Sequence, residues 1–210
     1  MKTETIALGS LQGEVLEQVR FSLRAGGVAV FPTDTVYGLG TAAGSAAGLQ
    51  RIYRLKGRPS DKPLPLLCSC AASALQLARF TPQALAVAEK FWPGAITLVL
   101  RTLPPGREYS LGSDTIGLRV PAHEKLRSFL EDLGEPLAAT SANVSGAPSA
   151  VTAAEACAEF GSSVDYIFSG EAPGGGDSTV MDFTGPEPLV LREGGLSSEL
   201  VLSYLKSISK

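Results

Sequence analysis

Apolar positions along the chain alternate between a helical period and short continuous runs, and each change marks an element boundary. Leu11, Val15, Val19 and Leu23 recur about once per helical turn, which predicts a helix over 10–25 that Gly26 and Gly27 stop. Val28 to Phe31 reads as a short buried strand closed by Pro32. Leu49, Ile52, Tyr53 and Leu55 predict a second helix, ended by Gly57 and Pro59. Further helices are expected over 82–91, with Pro82 in the first turn, and over 123–133, stopped by Gly134. Thr152 followed by Glu155 is a capping-box pattern at the head of a helix over 152–160, and a terminal helix spans 197–208. Strands are expected over 64–68, 95–101, 115–120, 137–140, 166–168, 179–183 and 188–192. Such alternation predicts a single α/β domain over 1–210 with a mixed sheet, its core at about 10–195. The stretches 104–113 and 172–177 read as loops. The second, with its run of three glycines, reads either as a plain surface loop or as a mobile lid.

Composition narrows the class. The 210 residues are 44% hydrophobic and 19% charged, with a net charge of -3, as in an ordinary globular protein. That acidic balance argues against coating nucleic acid by charge alone. The apolar runs are strand-sized and no secretory signal opens the chain, so a cytoplasmic location with no membrane contact is expected. Three cysteines, Cys68, Cys70 and Cys157, fit a reducing compartment. Cys68 and Cys70 lack the further histidines or cysteines a metal site needs, so both read as buried strand residues and no dedicated metal is expected.

Four polar clusters fall where strands end or loops begin. Pro32-Thr33-Asp34-Thr35-Val36-Tyr37-Gly38-Leu39-Gly40 follows a buried strand, the usual address of a ligand in an α/β protein, and equally the composition of a plain turn. Lys56, Arg58 and Lys62 place three cations at the end of a helix that already carries Arg51 and Arg54. They suit the helix dipole, and they also suit a phosphate clamp. Arg119 sits inside an apolar strand and requires a carboxylate partner, from a substrate or from the protein. From Ala138 to Ser149, small residues and hydroxyls leave room for a ligand and offer neutral hydrogen bonds. No Walker pattern occurs, and the lone histidine, His123, opens a helix, where a capping or surface role is expected.

In order along the chain, these segments resemble the YrdC family of threonylcarbamoyl-AMP synthases, from about Gly26 to Gly195. The matching segments are Phe-Pro-Thr-Asp-Thr-Val-Tyr-Gly-Leu-Gly at 31–40, Lys-Gly-Arg-Pro at 56–59 with Lys62-Pro63-Leu64, and Trp92-Pro93-Gly94 before Thr97-Leu98-Val99. They continue with Gly117 to Pro121, Ser141-Ala142-Asn143-x-Ser145-Gly146, Ser178-Thr179-Val180 and Leu191-Arg192-Glu193-Gly194. The resemblance implies a twisted mixed sheet with flanking helices around a deep basic cavity. It also implies a reaction in which L-threonine, bicarbonate and ATP give threonylcarbamoyl-AMP and pyrophosphate, for a tRNA modification completed by a separate transferase complex. Lys56, Arg58, Ser141 and Asn143 correspond to the family's catalytic signature. ATP, arriving with Mg2+, would be held by Arg58, Lys62, Thr115, Ser141, Ser149 and Arg192, with Lys56 along the phosphate path. Threonine would be held by Thr33, Arg119 and the backbone near Ala139. Leu67 stands about where some members carry a histidine that contacts threonine, so that side of the pocket is expected to be lined differently. The chain stops about fifteen residues after its Leu-Arg-Glu-Gly segment and resembles the short, single-domain form. Direct contact of the enzyme with tRNA is left open by the sequence, and two other readings compete: a carbamoyl-adenylate-forming enzyme, and an RNA-binding module without turnover. A ligand-binding regulator without turnover is a third.

Overall fold

The structure is a computed structural model and describes residues 3–57, 63–144 and 146–208. Its strands are β1 (Glu4–Ala7), β2 (Ala29–Phe31), β3 (Gly38–Ala42), β4 (Leu66–Leu67), β5 (Ala78–Arg79), β6 (Ile96–Thr102), β7 (Thr115–Arg119), β8 (Leu137–Ser141), β9 (Tyr166–Ser169), β10 (Thr179–Asp182) and β11 (Leu189–Arg192). The helices are α1 (Gly13–Arg24), α2 (Ala46–Lys56), α3 (Ala71–Leu75), α4 (Pro82–Phe91), α5 (Pro104–Arg107), α6 (Glu124–Leu133), α7 (Ala153–Phe160) and α8 (Ser198–Ile208). One mixed sheet runs β1-β9-β2-β3-β8-β4-β7-β6-β10-β11, with β5 pairing β6 off this path.

Local chemistry sets several helix ends. Ser45, Thr81 and Thr152 each accept a hydrogen bond from a backbone N–H of the first turn, and Thr152 completes a capping box with Glu155. His123 caps α6 by accepting from the Leu126 N–H through Nδ1 at 3.2 Å, as its position in the sequence suggested. Gly57 and Gly134 end α2 and α6 in the left-handed region, where glycine carries no Cβ penalty. Among the described residues, no helix is long and apolar enough to cross a membrane.

Several elements differ from expectation. Residues 38–42 form β3, although Gly38 and Gly40 read as turn residues. A Cβ at either position would lie within 3 Å of the Phe31 ring, so the glycines let the neighbouring strand lay an aromatic side chain across β3. The chain leaves the sheet after Leu67, which shortens the expected strand. Cys68 is buried there, but Cys70 is exposed at the head of α3, so the pair does not form a buried strand. Residues 104–107, read as loop, form the short helix α5.

Side-chain alternation divides the interior into two layers. In β2, Val30 joins one apolar cluster with α2, α4, α7 and α8, while Ala29 and Phe31 join the other with α1 and α6. Toward β7, β6 and β10 this symmetry fails. Ile96, Leu98, Leu100, Ile116, Leu118 and Met181 all fall in the first cluster, and none of these strands contributes to the second. Their other face is Thr97, Val99, Thr115, Gly117, Arg119 and Val180, and it lines an open cavity. The site therefore occupies the part of the sheet where, among the described residues, no helix packs its core against one face.

Candidate functional site

The cavity measures about 320 Å³. Its walls come from the turn after β2, the segment entering β4, the end of β8, and strands β6, β7, β10 and β11. Thr33, Thr115, Arg119, Ala139, Ser141 and Arg192, all singled out in the sequence, line it together, and Leu67 lies on the same wall. Arg58 and Lys62 fall outside the described residues. Among the described residues, the charged lining is Arg119, Arg192 and Asp177.

Arg119 is 5% exposed. Its Nε donates to Gly94 O at 3.0 Å, and its Nη2 donates to Asp34 Oδ1 at 2.8 Å and to Thr35 Oγ1 at 3.3 Å. The carboxylate partner that the sequence demanded is thus present inside the protein. Burial pulls the guanidinium pKa down, and Asp34 opposes that shift. The fork is not exhausted. Nη1 carries no hydrogen bond among the described residues and is not sealed from open space.

Thr33 sits in a closed turn. Its hydroxyl donates to Val36 O at 2.6 Å and accepts from the Thr35 N–H, and the two threonine hydroxyls lie 2.9 Å apart. Since the Thr33 proton goes to Val36, Thr35 is the donor between them, and Thr35 Oγ1 is left to accept from Arg119. Ala139 donates its N–H to Pro65 O, so its contribution on that wall is mainly space.

Lys56, at the end of α2, is not on the lining. It is 3% exposed, and its Nζ donates to Ser141 O at 2.7 Å and to Asn143 Oδ1 at 2.6 Å. Ser141 Oγ also donates to Asn143 Oδ1, at 2.8 Å. Three of the four signature residues therefore form one hydrogen-bonded unit that reaches the cavity through Ser141, with Lys56 and Asn143 off the lining. Arg51, on the same helix, forms an ion pair with Asp165 and donates to Ser163 O.

On another wall, near enough for its charge to be felt at Arg119, Arg192 donates from Nη1 to Asp177 Oδ2 at 3.2 Å and from Nη2 to Ser178 O at 2.8 Å. Ser149, outside the lining, donates to Asp177 Oδ1 at 3.1 Å. Gly194 allows this arrangement, because a Cβ there would lie 2.3 Å from Asp177 O. The loop before Asp177 is tied to the first cluster by Gly174 N–H to Thr35 O at 2.8 Å.

Asp177 lies outside the matched segments, whereas Ser178, Thr97, Val99 and Val180 belong to them without a stated role. Period-two alternation within β6 and β10 was available as a signal for the last three, since each neighbours a core position.

The Sua5/YciO/YrdC family model, described as telomere recombination, matches residues 22–194. A threonylcarbamoyl-AMP synthase of Pyrococcus abyssi (strain GE5 / Orsay) is 40% identical over 189 residues, covering 89% of this chain and 56% of the relative. The crystal structure of P. abyssi Sua5 complexed with L-threonine aligns with a TM-score of 0.83 at 35% identity, over 97% of this chain and 60% of that one. Escherichia coli YciO aligns with a TM-score of 0.80 at 29% identity, over 92% and 96% of the two chains. The chain spans just over half the length of the first curated relatives it matches.

Proposed function

Because the chain belongs to the Sua5/YciO/YrdC family, we propose that it joins L-threonine, CO2 or bicarbonate, and ATP into threonylcarbamoyl-AMP, releasing pyrophosphate. The observation that carries this reading is one cavity with a buried arginine fork left partly open on one wall and a rearrangeable arginine on the other. The first suits an amino-acid carboxylate, the second a phosphate.

In this reading, Nη1 of Arg119 receives the carboxylate of threonine, near Thr33 and Ala139. Contact through the Thr33 hydroxyl would replace its bond to Val36. The amine attacks CO2 and loses a proton, giving a carbamate. A carbamate oxygen then attacks the α-phosphorus of ATP, and the bond to pyrophosphate breaks. ATP enters with Mg2+ as substrate, held by Thr115, Ser141, Ser149 and Arg192 together with Arg58 and Lys62. Lys56 acts from behind the wall, fixing Ser141 and Asn143 while its charge biases the region toward phosphate. Such a site works by placement and charge compensation rather than by a strong general base. The product would pass to a threonylcarbamoyl transferase that modifies tRNA.

The test is incubation with MgATP, labelled bicarbonate and L-threonine, followed by mass detection of the adenylate and measurement of pyrophosphate. Labelled threonylcarbamoyl-AMP formed only when threonine is present is the expected result. Pyrophosphate released with carbamoyl phosphate but not with threonine and bicarbonate would replace this reading with the carbamoyl-adenylate one. RNA binding with no pyrophosphate under any condition would leave a binding module.

A further inference from the structure

The residue that faces Arg119 has a place in this chemistry that the signature motifs do not describe. Asp34 lies in the turn after β2, 85 positions before Arg119 in sequence, and accepts from its Nη2 at 2.8 Å. Both side chains are largely buried, at 7% and 11% exposure. Gly94 O takes the Nε proton, so two acceptors from separate segments hold the same side-on edge of the guanidinium. Thr35 accepts from Nη2 at 3.3 Å and is itself held by Thr33 and by the turn that ends at Val36. A guanidinium fixed along one edge cannot rotate about its terminal bonds, so the only donor left to meet a ligand is Nη1. Because Asp34 compensates the arginine charge, the pair presents a directed donor rather than a bare cation.

We infer that Asp34 is a positioning residue for the amino-acid substrate: it locks the side-on edge of Arg119 so that Nη1 alone is aimed at a ligand carboxylate. This rests on the proposed function for the identity of the substrate, and on the geometry alone for the lock. Selection for the carboxylate then comes from orientation. An arginine freed from Asp34 would keep its charge but meet the carboxylate in many orientations, at a cost in affinity.

The experiment compares Asp34→Ala and Asp34→Asn with the wild type, measuring KM for L-threonine, KM for ATP, kcat, and L-threonine binding by calorimetry. Asp34→Ala is expected to raise the threonine KM and Kd about tenfold, the loss of one charge-assisted contact, with the ATP KM within about twofold. Asp34→Asn keeps the shape and an oxygen acceptor, so it should restore threonine affinity to within about threefold of wild type. A merely structural role would move both KM values together and would show no rescue by asparagine. An unchanged threonine KM in Asp34→Ala overturns the inference while the proposed function stands. If the wild type forms no adenylate yet binds threonine in an Asp34-dependent way, the function falls and the lock stands. If the wild type neither turns over nor binds threonine, both fall. Should Asp34→Ala fail to fold, Asp34→Leu, which fills the space without an acceptor, takes its place: a threonine KM raised about tenfold with the ATP KM within about twofold supports the inference, and equal rises in both overturn it.

Discussion

Two ion pairs flank the cavity, and they are built on different terms. The side chains of Arg119 and Asp34 are 7% and 11% exposed, whereas those of Arg192 and Asp177 are 48% and 29% exposed. The first pair joins the end of β7 to the turn after β2, through the interior. The second joins the edge strand β11 to the loop before β10, in contact with solvent. A buried pair is costly to break from one side, because the surviving charge has neither water nor partner. An exposed pair contributes little to stability and can exchange partners, because water compensates either ion. One wall of the site is thus fixed before a ligand arrives, and the other can be rearranged by it.

The largest effect is expected at Arg119. Arg119→Ala leaves Asp34 buried and unpaired, and should cost about 3–5 kcal/mol of stability as well as abolishing threonine-dependent turnover. Thermal melting should show a fall of roughly 6–20 °C for a domain of this size. Arg119→Lys keeps a charge but not the fork, and should recover part of the melting temperature with little recovery of threonine affinity. A stability loss no larger than that of Arg192→Ala would remove the distinction between the two walls.

Arg192 should show the reverse balance. Arg192→Ala removes only a half-exposed pair, so denaturant unfolding should shift by no more than about 1 kcal/mol. The ATP KM should nevertheless rise by about tenfold or more, the loss of charge-assisted bonds worth about 1.5–3 kcal/mol. A threonine KM that rose as much as the ATP KM would place Arg192 on the wrong substrate.

The difference between the walls also explains what could be read from the sequence. Arg119 was legible because a charged residue inside an apolar strand violates the local pattern, and the same alternation gives the core its Ile116 and Leu118. Its partner was not legible, since nothing local links positions 34 and 119. Lys56 was legible as a cation at a helix end, but its burial depends on how the end of β8 folds back over α2. β3 was lost for a related reason. Its glycines carry the composition of a turn, and only the position of the Phe31 ring shows why a strand uses them. The helices were read nearly to the residue where capping is local, as in α4 and α7. The short β5 and α5 have too few residues for any period to register.

The smallest effect sharpens the comparison most, because it concerns the anion of the exposed pair. Asp177 accepts from both Ser149 and Arg192, two groups assigned to ATP, and so occupies donors that a phosphate would need. If Arg192 exchanges partners on binding, the carboxylate competes with the nucleotide, and its charge also opposes the incoming phosphates. Asp177→Asn keeps the acceptor geometry while removing the charge, so stability should change by no more than about 0.5 kcal/mol. The ATP KM should fall by roughly two- to fivefold, the range of one exposed ion pair. The matching change at the buried wall, Asp34→Asn, should not improve affinity for its substrate, because there the carboxylate orients the arginine instead of competing for it. An ATP KM that rises in Asp177→Asn would show that the exposed aspartate also positions its arginine, and the two walls would then follow one design.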